Sequence, residues 1–245
     1  MDPRMRLVID TRAGLAGDIM VAGLIGLGAD PDRVCGAMEA AGSLLGPARV
    51  RHAAESGINR LSIRFTQPGH LSAAEARDVL DRALDTAGLT LPWSGIALNI
   101  LTVLTEAEAH VHSVHPVLRR HCHGPEAVLH EASDIVMDVM GTAAGLADLH
   151  ILTVEYIGPV GVGSGTVKFS HGTLEVPTPA TRFILDKHGI PWKNTRAGME
   201  AATPTGAAIL AGCGAVRTPG EPVGCKRILA GGTRPLQPVA FYISQ

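Results

Sequence analysis

RLVIDTRAGLAGDIMVAGLIGLGAD, residues 6–30, passes from an apolar run through a glycine-punctuated loop into a second, longer apolar run. Arg6 to Asp10 is short and rich in β-branched residues, so it reads as a strand. A helix is expected from about Asp18 to Leu27, and Gly28 suits its left-handed stop. Asp30 then caps a further helix, with Pro31 in its first turn. A strand that turns through a loop into a helix sets the expectation of an α/β or α+β fold. That fold is a mixed sheet packed by several helices, one compact domain over residues 1–245.

The pattern continues outward in the same mixture. Residues 49–56 and 60–66 read as a hairpin around Gly57, and Gln67-Pro68-Gly69 ends it. Ser72 with Glu75 forms a capping box for a helix to about Ala87. Helices follow from Ser94 to about His112 and from Ala132 to about Leu146, with a His-, Arg- and Cys-rich connection between them. From Ile151 onward short strands and glycine turns take over, interrupted by helices at Pro179–Lys187 and from Thr203-Pro204 through Leu210. VAFYI near the end is a last strand.

Composition narrows the function classes. The 245 residues carry a net charge of -2, and no basic stripe interleaved with aromatics appears, which argues against a nucleic-acid partner. Gly, Asp and Glu break every apolar stretch before it reaches membrane-spanning length, and MDPRMRLVID lacks the apolar core of a secretory signal. A cytoplasmic protein is the expectation. The four cysteines form no CxxC pair and are expected as free thiols, Cys35 and Cys213 as small core residues.

Several groups of residues are candidates for chemistry. In GLAGDIM, Gly14 and Gly17 let backbone amides approach a ligand at a helix start, and Asp18 suits an anion bridged by a divalent ion. Asp10, closing the strand, is a second candidate ligand. Read alone, Asp18 is better taken as a plain helix cap, because short glycine loops are common and this one matches no Walker or Rossmann spacing. His130, Asp134 and Asp138 are spaced by four and share one helical stripe, with Glu131 beside the first. Apolar residues border that stripe on both sides, so it would be partly buried, and buried carboxylates need donors or a cation. A half-exposed, solvated stripe is the competing reading. In AEAHVH, the pairs Glu106/His110 and Glu108/His112 lie one turn apart, as ligands or as charged hydrogen bonds. His115, His121, Cys122 and His123 add soft donors in the connection. In the last third, His171 stands between a strand and a glycine. Thr203 with Pro204, followed by Thr205 and Gly206, offers free amides to an anion.

In this order the motifs resemble the LarC family of nickel-insertion proteins. The family's Asp-ended strand and GxSGDM appear as IDTRAGLAGDIM. Its AEAxVH appears as AEAHVH, and its HE motif with paired Asp as LHEASDIVMDVMG. GVGSG, HGTLEVPTPAT and ATPTGAAIL match the family's GxG, HGxxPxPAPAT and TTPTGAAxL. The resemblance implies an N-terminal nickel-insertion domain, a nickel chelatase of the lyase class. Its substrate would be a pyridinium dithiocarboxylate mononucleotide, a nucleotide-like cofactor precursor. His130, Glu131 and Asp134 would act on the chemistry. Asp10, Asp18, His110, His112, His130, Asp134 and Asp138 would hold or deliver metal. Gly14, Gly17, Asp18, His171, Thr203, Thr205 and Gly206 would bind the precursor. The family also implies a second divalent ion, Mn or Mg, and CTP. The CTP site lies in a C-terminal domain that family members carry and this chain stops short of, so the chain would act alone or with a partner chain that supplies that domain. A homo-oligomer is compatible with the sequence. So is a second kind of protein, a non-catalytic module that binds metal or nucleotide and hands it to a partner.

Overall fold

A computed structural model describes residues 5–66, 69–114, 128–169, 172–233 and 236–244. The strands are β1 (Arg6–Asp10), β2 (Ala48–Glu55), β3 (Ile58–Phe65), β4 (His70–Ser72), β5 (Val128–His130), β6 (Thr153–Ile157) and β7 (Val160–Gly163). They continue as β8 (Thr166–Phe169), β9 (Gly172–Glu175), β10 (Trp192–Asn194), β11 (Val216–Thr218), β12 (Lys226–Ala230) and β13 (Val239–Ser244). The helices are α1 (Gly17–Leu27), α2 (Pro31–Ser43), α3 (Ala73–Thr86), α4 (Trp93–Val114), α5 (Ala132–Asp148), α6 (Pro179–Lys187) and α7 (Pro204–Gly212).

The main sheet has the order β11-β6-β1-β13-β12-β3-β2. β1 pairs parallel with β6 and antiparallel with β13, and β12 pairs parallel with β3, so the sheet is mixed as expected. Three two-stranded ribbons lie outside it: β4 with β5, β7 with β10 and β8 with β9. Alternation along β1 decides which face is covered. Leu7 and Ile9 enter the large core with α1, α5 and α7, while Val8 joins Ile157, Ala240 and Tyr242 in a small cluster on the other face.

Local chemistry fixes the helix ends. Asp30 accepts from the amides of Asp32 and Arg33, Ser72 and Glu75 exchange both bonds of a capping box, and Gly28 closes α1 at φ 126°. The strands β11 and β12 were not expected from the sequence. KRILA is short and starts with two charges, and it gains its place only by pairing with β13 and β3. The core is filled mainly by Leu, Ile, Val, Ala and Met, and Phe241 is fully buried in it. Cys35 and Cys213 pack against this core as free thiols, and burial pushes the Cys213 thiol up to about 12. Cys122, with His115, His121 and His123, lies outside the described residues.

Candidate functional site

Strand β1 delivers the chain to a short 3₁₀ turn, Thr11–Ala13, and then to the Gly14–Ala16 loop that opens α1. That loop is clamped to a distant segment. Leu15 bridges Ala202, and the Thr203 amide donates to the Leu15 carbonyl at 3.0 Å. Glycine at 14 and 206 is what permits this. A Cβ on Gly14, at φ 111°, would stand 2.1 Å from the Ala201 carbonyl oxygen, and one on Gly206 would stand 2.0 Å from that of Leu15. The sequence suggested that these glycines admit a ligand; the backbone they admit is the protein's own. GVGSG works the same way, since a Cβ on Gly163 would meet the Met199 carbonyl at 2.0 Å.

The clamp brings the start of α1 and the start of α7 to one cavity of about 430 Å³. Asp18 from α1, Asp134 and Asp138 from α5, His130 and Glu131 before α5, and His112 with Glu108 from α4 all line it. Thr203 and Thr205 of α7 and buried Glu200 line it too. The glycine loop and the acidic helix, separated by more than a hundred residues in sequence, therefore meet in space. A cavity of this size suits a small organic ligand. Ile19, Leu61, Ile63 and Leu104 supply an apolar wall, and exposed Lys168 stands at its edge.

Asp138 is the most constrained of these groups. It is 3% exposed, and its Oδ1 has no hydrogen-bond partner among the described residues. Its other carboxylate oxygen lies where a Cβ on Gly17 would have to be, 1.9 Å away. Gly17 is thus needed so that α1 can press against the carboxylate. Burial first, then the charges of Asp134 and Asp18, hold the Asp138 carboxyl well above the usual carboxylate range. The raised pKa favours the protonated form, and a divalent ion among the three carboxyls would displace the proton. One turn on, buried Thr142 has an Oγ1 with no partner among the described residues. Thr142→Val should raise stability by about 1 kcal/mol, because it removes a buried hydroxyl that gains nothing. Urea unfolding checks this, and an unchanged or lower midpoint counts against it.

Some expected ligands lie elsewhere. Asp10 faces away from the cavity, and both of its oxygens are taken by Arg12, at 2.8 and 2.6 Å. Burial raises its pKa, but the hydrogen bonds and charge of Arg12 outweigh that and leave the carboxyl below its ordinary value. His110 stacks on Phe183 at 4.2 Å between ring centres, and Glu106 pairs with Lys187 rather than with His110. Of the two His/Glu pairs, Glu108/His112 reaches the cavity, with 3.5 Å between His Nε2 and the carboxylate. Thr203 caps α7 by accepting from the Gly206 amide, as expected. His171 lies outside the described residues. Sequence reasoning missed Glu200 and Gly232. Glu200 carries no periodic signal, and Gly232 reaches Asp18 only through a turn held by Arg60, which donates to its carbonyl. Among the described residues no three His, Cys, Asp or Glu side chains form a ready-made metal cluster.

Fold and site define a mixed α/β protein with a cavity of histidine and carboxylate on one side and a helix N-terminus on the other. The chain belongs to the nickel insertion protein family, whose pattern matches residues 7–237. It is similar to the pyridinium-3,5-bisthiocarboxylic acid mononucleotide nickel insertion protein of Akkermansia muciniphila, at 37% identity over 219 residues. That match covers 84% of this chain and 50% of the relative. A protein of the same name from a Nocardioides species is 33% identical over 207 residues, 82% of this chain and 49% of the relative. The chain thus spans about half the length of the curated relatives it matches. No solved structure matches it. Among the described residues no helix is long and apolar enough to cross a membrane.

Proposed function

We propose that this chain carries the metal-handling part of nickel insertion into a pyridinium dithiocarboxylate mononucleotide. The observation that supports it most is the convergence of Asp18, Asp134, Asp138 and His130 on one cavity. Burial and mutual repulsion favour a proton on this group of three carboxyls until a divalent cation replaces it. Nickel is the cargo, and His130 with Asp134 holds it while water is lost. Glu131, at the exposed lip with φ 61°, orients the incoming metal or takes a proton. The precursor's phosphate sits at the N-terminus of α7, where Thr205 and the helix dipole favour an anion, with Lys168 lining the same cavity. The pyridinium ring lies against the apolar wall, which also keeps water from the sulfurs. A second divalent ion, Mn or Mg, bridges phosphate and Asp18. CTP and any partner domain act from outside residues 1–245, and the cytoplasm is the compartment.

Nickel titration by calorimetry tests the metal part. His130→Ala and Asp134→Ala should each weaken binding by about tenfold or more. Parent-like binding in both variants sinks the assignment. Incubating the chain with precursor, nickel and CTP tests the reaction. Product formed by the chain alone establishes an autonomous chelatase. Product formed only after a separately made C-terminal domain is added establishes a delivery module.

A further inference from the structure

One side chain beside the cavity-lining His130 is not used by the reading above. His70 on β4 lies directly opposite His130 on β5, in register. Their Nδ1 atoms are 3.0 Å apart and their rings are nearly perpendicular, at 76°. From these positions we infer that His70 and His130 form a two-imidazole entry site that takes up Ni(II) at the surface and passes it inward to the carboxylates.

The argument is geometric. Imidazole nitrogens bind first-row divalent ions at about 2.0–2.1 Å. Two donors 3.0 Å apart at such distances subtend an angle of about 94° at the ion. That is the bite of neighbouring positions in a square-planar or octahedral shell, the geometries that suit nickel. A tetrahedral ion such as zinc asks for about 109°, which would need the nitrogens about 3.3–3.4 Å apart. Whichever ring now donates the hydrogen bond places its proton on Nε2 once both Nδ1 atoms face the ion.

Exposure falls along a path that starts at this pair. His70 is exposed, His130 is half-buried and lines the cavity, Asp134 follows in the next turn, and Asp138 is buried. His112 flanks the path, its ring stacked on that of His130 at 5.5 Å. No third His, Cys, Asp or Glu among the described residues completes the shell. A shell with only these two imidazoles from the described residues leaves positions for water, and such an ion is held weakly enough to leave. Backbone pairing keeps the two imidazoles opposite each other, since β4 and β5 fix their Cα atoms across the ribbon.

The inference rests on nickel being the cargo, so the test must separate the two. Nickel-loaded protein is compared with His70→Gln by calorimetry and by X-ray absorption at the nickel edge. His188→Gln, an exposed histidine at the end of α6, is the control. His70→Gln should weaken nickel binding by about tenfold, lose one imidazole from the nickel shell, and reduce the preference for nickel over zinc. His188→Gln should do none of these. Circular dichroism on the same samples shows whether the fold is kept; if His70→Gln unfolds, His70→Asn is used with the same readouts. Parent-like affinity and imidazole count in a folded His70 variant overturns the entry site and leaves nickel insertion standing. A parent that holds nickel on both imidazoles yet never loads the precursor keeps the entry site and overturns nickel insertion.

Discussion

Asp138→Asn should make the metal-free protein more stable at pH 8 while weakening nickel binding by about 10–100-fold. Both effects come from one buried carboxyl. Asp138 is 3% exposed, has an oxygen without a partner among the described residues, and is surrounded by the charges of Asp134 and Asp18. Its folded pKa is raised, so the sign follows from proton counting. Above pH about 4 the unfolded chain releases this proton and the folded protein keeps it. Stability then falls as pH rises, until the folded pKa is reached. Asparagine has no such loss, and its amide can donate to a neighbouring carboxylate. The gain over the parent should be small near pH 4.5 and reach roughly 1 kcal/mol or more at pH 8, about 2–4 °C in Tm for a chain of this size. Melting curves at the two pH values decide it. Curves of parent and variant that stay equally far apart would show that Asp138 holds no proton in the folded state. Nickel reverses the order, since the cation stabilises the carboxylate that the variant lacks. This is the expected cost of a binding site: charge is kept where folding alone would remove it.

What the sequence disclosed depended on how far each interaction reaches along the chain. Asp30 and its amides, Ser72 with Glu75, Gly28 after α1 and Thr203 before Gly206 involve partners within four residues, and each was read correctly. The spacing of Asp134 and Asp138 gave their shared stripe for the same reason. Its burial was weighed against a solvated face, and the structure decides for burial at Asp138. The strands β11 and β12 lacked a local signal because their stability comes from partners elsewhere in the sheet. Distance also hid the joining of Asp18 to Asp138, of Leu15 to Ala202, and of His70 to His130. Glycine misled in a more specific way. A glycine needed for close approach looks the same whether a phosphate or a carbonyl of the chain comes near, and at Gly14, Gly163 and Gly206 it is the carbonyl.

The same replacement should have opposite effects at two glycines. Gly206→Ala should cost about 2–3 kcal/mol or more, whereas Gly36→Ala should add about 0.5–1 kcal/mol. At Gly206 the new methyl would stand 2.0 Å from the Leu15 carbonyl oxygen and 3.0 Å from the Ala16 nitrogen. Both are backbone atoms, so no side-chain rotation relieves the clash. The Leu15 carbonyl is also committed, since it accepts from the Thr203 amide. Room can come only from parting the Gly14–Ala16 loop and α7, which breaks that bond and the bridge to Ala202. At Gly36, inside α2, a Cβ meets nothing within 4 Å, and alanine merely restricts the unfolded chain. The functional consequence differs as well. The clamp sets where Asp18 stands relative to Thr203 and Thr205, so Gly206→Ala should weaken nickel binding even at temperatures where it stays folded. Gly36→Ala should leave binding unchanged. Urea midpoints and nickel titrations on the pair measure both effects. A Gly206→Ala protein that melts like the parent would mean that the loop and α7 are not held backbone to backbone. One that is destabilised but binds nickel normally would detach the clamp from the site.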